Sequence, residues 1–138
     1  STHEPFPRHR YLPYLTSEEV AALPKQQAAA VLVISAIEQH GPHMPLVTDL
    51  LLGEQLLALA LQRAPEDAAL WVLPPLAYGK SNEHSRYPGT LTVSANTLIS
   101  LWKDIGACVA KAGVRKLVLY NSHGSQMSVI GIGARVLR

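Results

Sequence analysis

Residues 28–37, Ala-Ala-Ala-Val-Leu-Val-Ile-Ser-Ala-Ile, constrain the fold more than any other stretch. The run is apolar apart from one serine and rich in Val and Ile, the pattern of a strand buried on both faces. Such a strand lies inside a parallel sheet, so the rest of the chain must supply helices to cover it. Residues 49–63 have helical length and composition and are closed by Pro65. Their Leu-rich surface extends around most of the helix, which points to burial on two sides and to a subunit interface. Residues 70–76 read as a second strand. Residues 94–112 read as a second helix, with Leu98, Leu101, Trp102, Ile105, Cys108 and Val109 on one stripe and Gly113 as its C-cap. Residues 115–120 read as a third strand, and a third helix opens from Ser125. The alternation predicts an α/β fold with a parallel sheet covered by helices.

The N-terminal residues 1–14 are rich in Pro, His and Arg, lack the apolar core of a signal peptide, and read as an extended arm. Phe6, Tyr11 and Tyr14 fit it for packing over its own domain or a neighbouring subunit. Thr16-Ser17-Glu18-Glu19 matches a capping box that starts a short helix ending near Pro24. The expected organisation is therefore an arm and short helix over residues 1–27, then one α/β domain over residues 28–138. With 138 residues, the chain can build one substantial core but hardly two. Its apolar stretches are interrupted before they reach spanning length, so no membrane is expected. A net charge of +2, with no basic block, argues against nucleic acid. The single cysteine, Cys108, excludes an internal disulfide, fits a reducing, cytoplasmic setting, and is expected in the core.

Directly after the first strand comes Glu38-Gln39-His40-Gly41-Pro42-His43-Met44-Pro45-Leu46-Val47-Thr48-Asp49. Glu38 and His40 are two apart, so on extended backbone they point to the same side. Pro42 and Pro45 stiffen the loop that follows. Oxygen and nitrogen donors gathered at a strand end are what a zinc- or manganese-type ion requires. The competing reading makes Thr48 the N-cap of the next helix and Asp49 part of its first turn. Capping leaves Glu38 and His40 unexplained, and burying both unpaired would cost several kcal/mol.

In open α/β sheets, sites form beyond the carboxyl ends of the strands, and all three ends here carry unusual polar residues. The second end gives residues 78–90, with Lys80, Glu83, His84 and Arg86. The third gives Asn121-Ser122-His123-Gly124-Ser125-Gln126. Four of the six histidines fall in these loops, while His3 and His9 belong to the arm, so one composite site is expected. A mononucleotide-binding, Rossmann-like module is the rival architecture. The first strand–helix turn lacks Gly-x-Gly-x-x-Gly, and its Glu and Asp would repel phosphate.

The stretch from Glu38 to Leu46 followed by Thr48-Asp49 resembles the signature of the creatininase (creatinine amidohydrolase) family. Tyr78-Gly79, Glu83-His84 and Tyr87-Pro88-Gly89-Thr90 resemble its second motif. The segment 121–126 resembles its Asn-Gly-His-Gly-Gly-Asn motif, with Ser122, Ser125 and Gln126 as departures. The resemblance implies a three-layer α/β/α fold with a mostly parallel central sheet and a binuclear site for divalent zinc, manganese or iron. By position, Glu38 and His123 would hold one metal and His40 the other, with Asp49 bridging. Members are metal-dependent hydrolases of C–N bonds in cyclic amides, formamides and, in one branch, a peptide. The implied function here is hydrolysis of a small non-peptide amide. Members commonly form homo-oligomers, often hexamers. Glu83 and His84 are candidate catalytic residues, relaying a proton or contacting substrate, or else partners that orient a ligand. His43 reads as a pocket wall; Lys80 and Arg86 either meet an anionic substrate or are solvated.

The family adds a glutamate to the second metal, in creatininase itself two residues after the histidine matched to His123, where this chain has Ser125. In other members it comes from a later motif that has no counterpart here. Three strands would also leave a sheet edge exposed. The chain is therefore expected to be a truncated or non-catalytic part of a creatininase-like protein, holding at most one metal tightly and hydrolysing amides poorly by itself.

Overall fold

The apolar run becomes the middle of the sheet. In the computed structural model, which describes residues 5–138, β1 (Ala29–Ile34) is buried along its whole length. It lies between β2 (Leu70–Val72) and β3 (Lys116–Asn121) and pairs parallel with both. Residues 1–4, His3 among them, lie outside the described residues. β2 is shorter than the sequence expectation of 70–76, because Pro74 and Pro75 have no N–H to give the ladder. Pairing resumes beyond them, where Leu76 N–H donates to Val33 O at 2.8 Å.

Alternate residues of β1 feed two cores. Ala30, Leu32 and Ile34 pack with Leu98 and Trp102 of α3 (Ala95–Lys111) and Val129 of α4 (Met127–Leu137). Val31 and Val33 face Leu57, Ala58 and Leu61 of α2 (Thr48–Arg63), together with Phe6 and Tyr11 from the arm. The result is three layers, with α2 and the arm on one face and α3 and α4 on the other. Tyr11 bridges to Val72 beside β2. Arg10, buried, donates to the carbonyls of Ala68 at 2.7 Å and Pro65 at 2.9 Å, so the arm is fastened to its own domain. The short helix α1 (Ser17–Ala21) starts at the Thr16–Glu19 capping box.

One expectation and one competing reading need correction. Cys108 is exposed and not part of the core. On α3 the buried line runs through Leu98, Trp102 and Val109, and Cys108 and Leu101 fall about 100–120° round the helix from Trp102. Thr48 is not a cap: it lies inside α2, whose N-cap Val47 makes no side-chain bond, and its hydroxyl donates to Pro45 O at 2.6 Å. On the outer side of α2, Leu51, Leu52, Leu56 and Leu59 are exposed. Among the described residues no helix is long and apolar enough to cross a membrane.

Candidate metal centre

The three loops beyond the carboxyl ends of the strands meet at one place. Glu38 follows β1, Asp49 sits in the first turn of α2, and His123 follows β3. His123 Nδ1 lies 3.0 Å from Asp49 Oδ2 and 3.1 Å from Glu38 Oε1. His40 Nε2 lies 2.9 Å from Asp49 Oδ1 and 4.0 Å from Glu38 Oε1. The structure thus brings Glu38, His40, Asp49 and His123 together, with one oxygen of Asp49 facing each imidazole. Glu38, Asp49 and His123 are buried, and His40 is half-buried.

Hydrogen bonds on the far side of each ring fix which nitrogen faces the carboxylates. A backbone carbonyl only accepts, so His40 Nδ1–H donates to Glu38 O at 3.0 Å and His123 Nε2–H donates to Lys80 O at 2.9 Å. In the neutral rings the other nitrogens, His40 Nε2 and His123 Nδ1, are lone pairs aimed at carboxylate oxygens. That arrangement is repulsive unless a proton or a metal cation lies between them. Ring nitrogens oriented in this way by a second hydrogen bond are typical of metal-ligating histidines. The donor set of two imidazoles and two buried carboxylates therefore fits a divalent transition ion. Burial opposes a charge on His40, but its bond to the Glu38 carbonyl and the charge of Asp49 outweigh this and raise its pKa above 6.5.

The loop after β2 closes the site from the third side. Gly79 lies so close to the end of β1 that a Cβ there would collide with the Ser35 carbonyl and come within 2.8 Å of Gln126 Oε1. Lys80 contributes its carbonyl, held against His123, and its N–H, which donates to Gln126 Oε1 at 3.2 Å. Ser81, fully buried, donates its hydroxyl to Glu38 Oε2 and leaves Oε1 facing the histidines. Gln39 Nε2 donates to His84 Nδ1 at 2.8 Å, so His84 carries its proton on Nε2, 3.8 Å from Glu38 Oε2. Glu83 is exposed, yet one of its oxygens groups with Glu38 and His123. Burial works against its charge, but a hydrogen bond from Ser125 and the nearby His84 and His123 hold its carboxyl below the usual range. His43 is exposed on the turn after His40. Arg86, also exposed, lies over the Tyr87 ring at 5.4 Å. Ser81 and the Lys80 carbonyl escape sequence reasoning, because a lone serine and a backbone oxygen carry no spacing pattern.

Residues 13–138 match the family model described as "Creatininase: Creatinine amidohydrolase". The chain is 33% identical over 107 residues to the mycofactocin precursor peptide peptidase of Mycolicibacterium smegmatis, covering 76% of this chain and 43% of that protein. It is 36% identical over 98 residues to the creatinine amidohydrolase of Pseudomonas putida, covering 67% of this chain and 36% of the relative. A crystal structure of creatininase superposes with a TM-score of 0.82 at 31% identity, over 93% of this chain and 50% of that one. Other similar solved structures are a manganese creatininase and a creatininase mutant of Zn-Zn type. The chain spans about half the length of the relatives it matches. Its fold is that of the corresponding part of creatininase, a largely parallel sheet with helices on both faces, and the Rossmann-like alternative falls away. The chain belongs to the creatininase family.

Proposed function

We propose that this chain carries the metal-binding part of a hydrolase that cleaves a C–N bond in a small non-peptide amide, cyclic amide or formamide. The observation that carries this reading is the pair of imidazole lone pairs, each fixed from behind by a backbone carbonyl and each aimed at Asp49. Glu38, His40, Asp49 and His123 would hold zinc, manganese or iron, two ions per complete site with Asp49 between them. Such ions lower the pKa of a bound water and polarise the carbonyl that it attacks. Ser81 keeps one oxygen of Glu38 turned away, so the other stays aimed at the histidines. His84, its ring oriented by Gln39 so that Nε2–H is turned toward the site, would donate a hydrogen bond to the substrate there. Self-association through the outer leucines of α2 belongs to the same reading, as does a cytoplasmic setting for the exposed Cys108 thiol.

The relatives include a creatinine amidohydrolase and peptidases, so the test needs both kinds of substrate. Protein purified without chelator should contain stoichiometric transition metal. Its hydrolysis, expected to be slow for this chain alone, should favour cyclic amides and formamides over short peptides. Metal-free protein that refuses added zinc and manganese would end the metal reading. Preference for peptides would move the substrate class to that of the mycobacterial relatives.

A further inference from the structure

The mouth of the site holds a carboxylate in an unexpected position. Glu83 lies on the short turn Asn82–His84, is exposed, and is free to point into water, as an exposed glutamate ordinarily does. Instead it leans inward until one of its oxygens lies within 4.8 Å of ligand atoms of Glu38 and His123. Glu38 is itself a buried carboxylate, and two like charges at such separation repel. A cation between them removes the penalty. Ser125, on the turn Gly124–Gln126 after β3, is the neighbour whose hydroxyl favours the charged Glu83 carboxylate.

Donor counting points the same way. With Oε2 of Glu38 taken by Ser81, the side of the site at His123 offers Glu38 Oε1, His123 Nδ1 and Asp49 Oδ2. A fourth donor would fill the position that a catalytic zinc otherwise leaves to water or substrate. On the side at His40 the group is Glu38, His40 and Asp49, with Glu83 outside it. Resting on the metal reading above, we propose that Glu83 is a ligand of the ion held by Glu38 and His123, and that Ser125 is the residue positioning it. As the exposed member of the set, Glu83 is the ligand that an incoming substrate can displace without unfolding the site.

The test uses metal-stripped chain and cobalt(II), followed by visible absorption and by calorimetry, in the wild type and in Glu83→Gln and Ser125→Ala. Both altered residues are exposed, and unchanged melting of the stripped proteins will show that the variants fold. Glu83→Gln should weaken cobalt binding by about 10-fold or more and alter the absorption band; Ser125→Ala should do so by a smaller factor. Wild-type affinity and an unchanged band in Glu83→Gln would overturn this inference and leave the four-residue site standing. A wild-type chain that takes up no cobalt would overturn both. An unaffected Ser125→Ala beside a weakened Glu83→Gln would overturn the role of Ser125.

Discussion

His40 links the site to pH, and the sign follows from its surroundings. Burial favours the neutral ring, but the Glu38 carbonyl and the Asp49 charge prevail, so the folded pKa lies above 6.5. Protonation therefore stabilises the folded state of metal-stripped protein. The contribution is complete below 6.5 and is lost as pH rises through the folded value. Chelator-treated wild type should thus melt higher than His40→Gln on the acid side, with the gap closing as pH rises above 6.5. A gap that widens with rising pH in thermal melts would contradict this. Metal-loaded protein should show the opposite trend, since metal binding needs the deprotonated ring. At this scale the sequence was readable where side chains act directly: the two-residue spacing of Glu38 and His40 and the strand-end position of His123 pointed to one place. The partners that orient them were not readable. Ser81 and the Lys80 carbonyl become relevant only once the loop after β2 folds under β1.

That folding under is a property of an element, and Gly79 is its pivot. The segment runs so close to Ser35 that only hydrogen fits on its Cα. Gly79→Ala should cost about 1–3 kcal/mol in chemical denaturation and should also weaken metal binding, because Lys80 and Ser81 move with it. Loss of stability with unchanged metal affinity would show that the loop does not position the ligands. Strand and helix identities were legible from hydrophobic periodicity, but their limits were set by local chemistry that periodicity ignores. Pro74 and Pro75 end β2 early, although the apolar pattern runs on to Leu76. The buried stripe on α3 is narrower than its apolar pattern, since Leu101 and Cys108 are exposed despite their apolar character.

For the whole molecule, the outer face of α2 presents Leu51, Leu52, Leu56 and Leu59 to solvent, and β3 has no strand on its outer side among the described residues. Apolar surface gathered in this way suits contact with another chain, and self-association is the expected outcome. Light scattering at micromolar concentration should give a multiple of 15.0 kDa, and Leu52→Glu with Leu56→Glu should return the monomer. A wild-type monomer would refute self-association. The strand order β2-β1-β3 has a further consequence, for the time course of folding. His123 is 74 residues from Asp49, and Ser122 is 87 from the Ser35 hydroxyl to which it donates. Parallel neighbours cannot form through a local hairpin, so the loop between them must close first, at an entropic cost. Helices need no such closure and form early. A refolding chain will therefore regain its helical signal while still blind to metal, and capture of the ion will time the moment at which β3 docks.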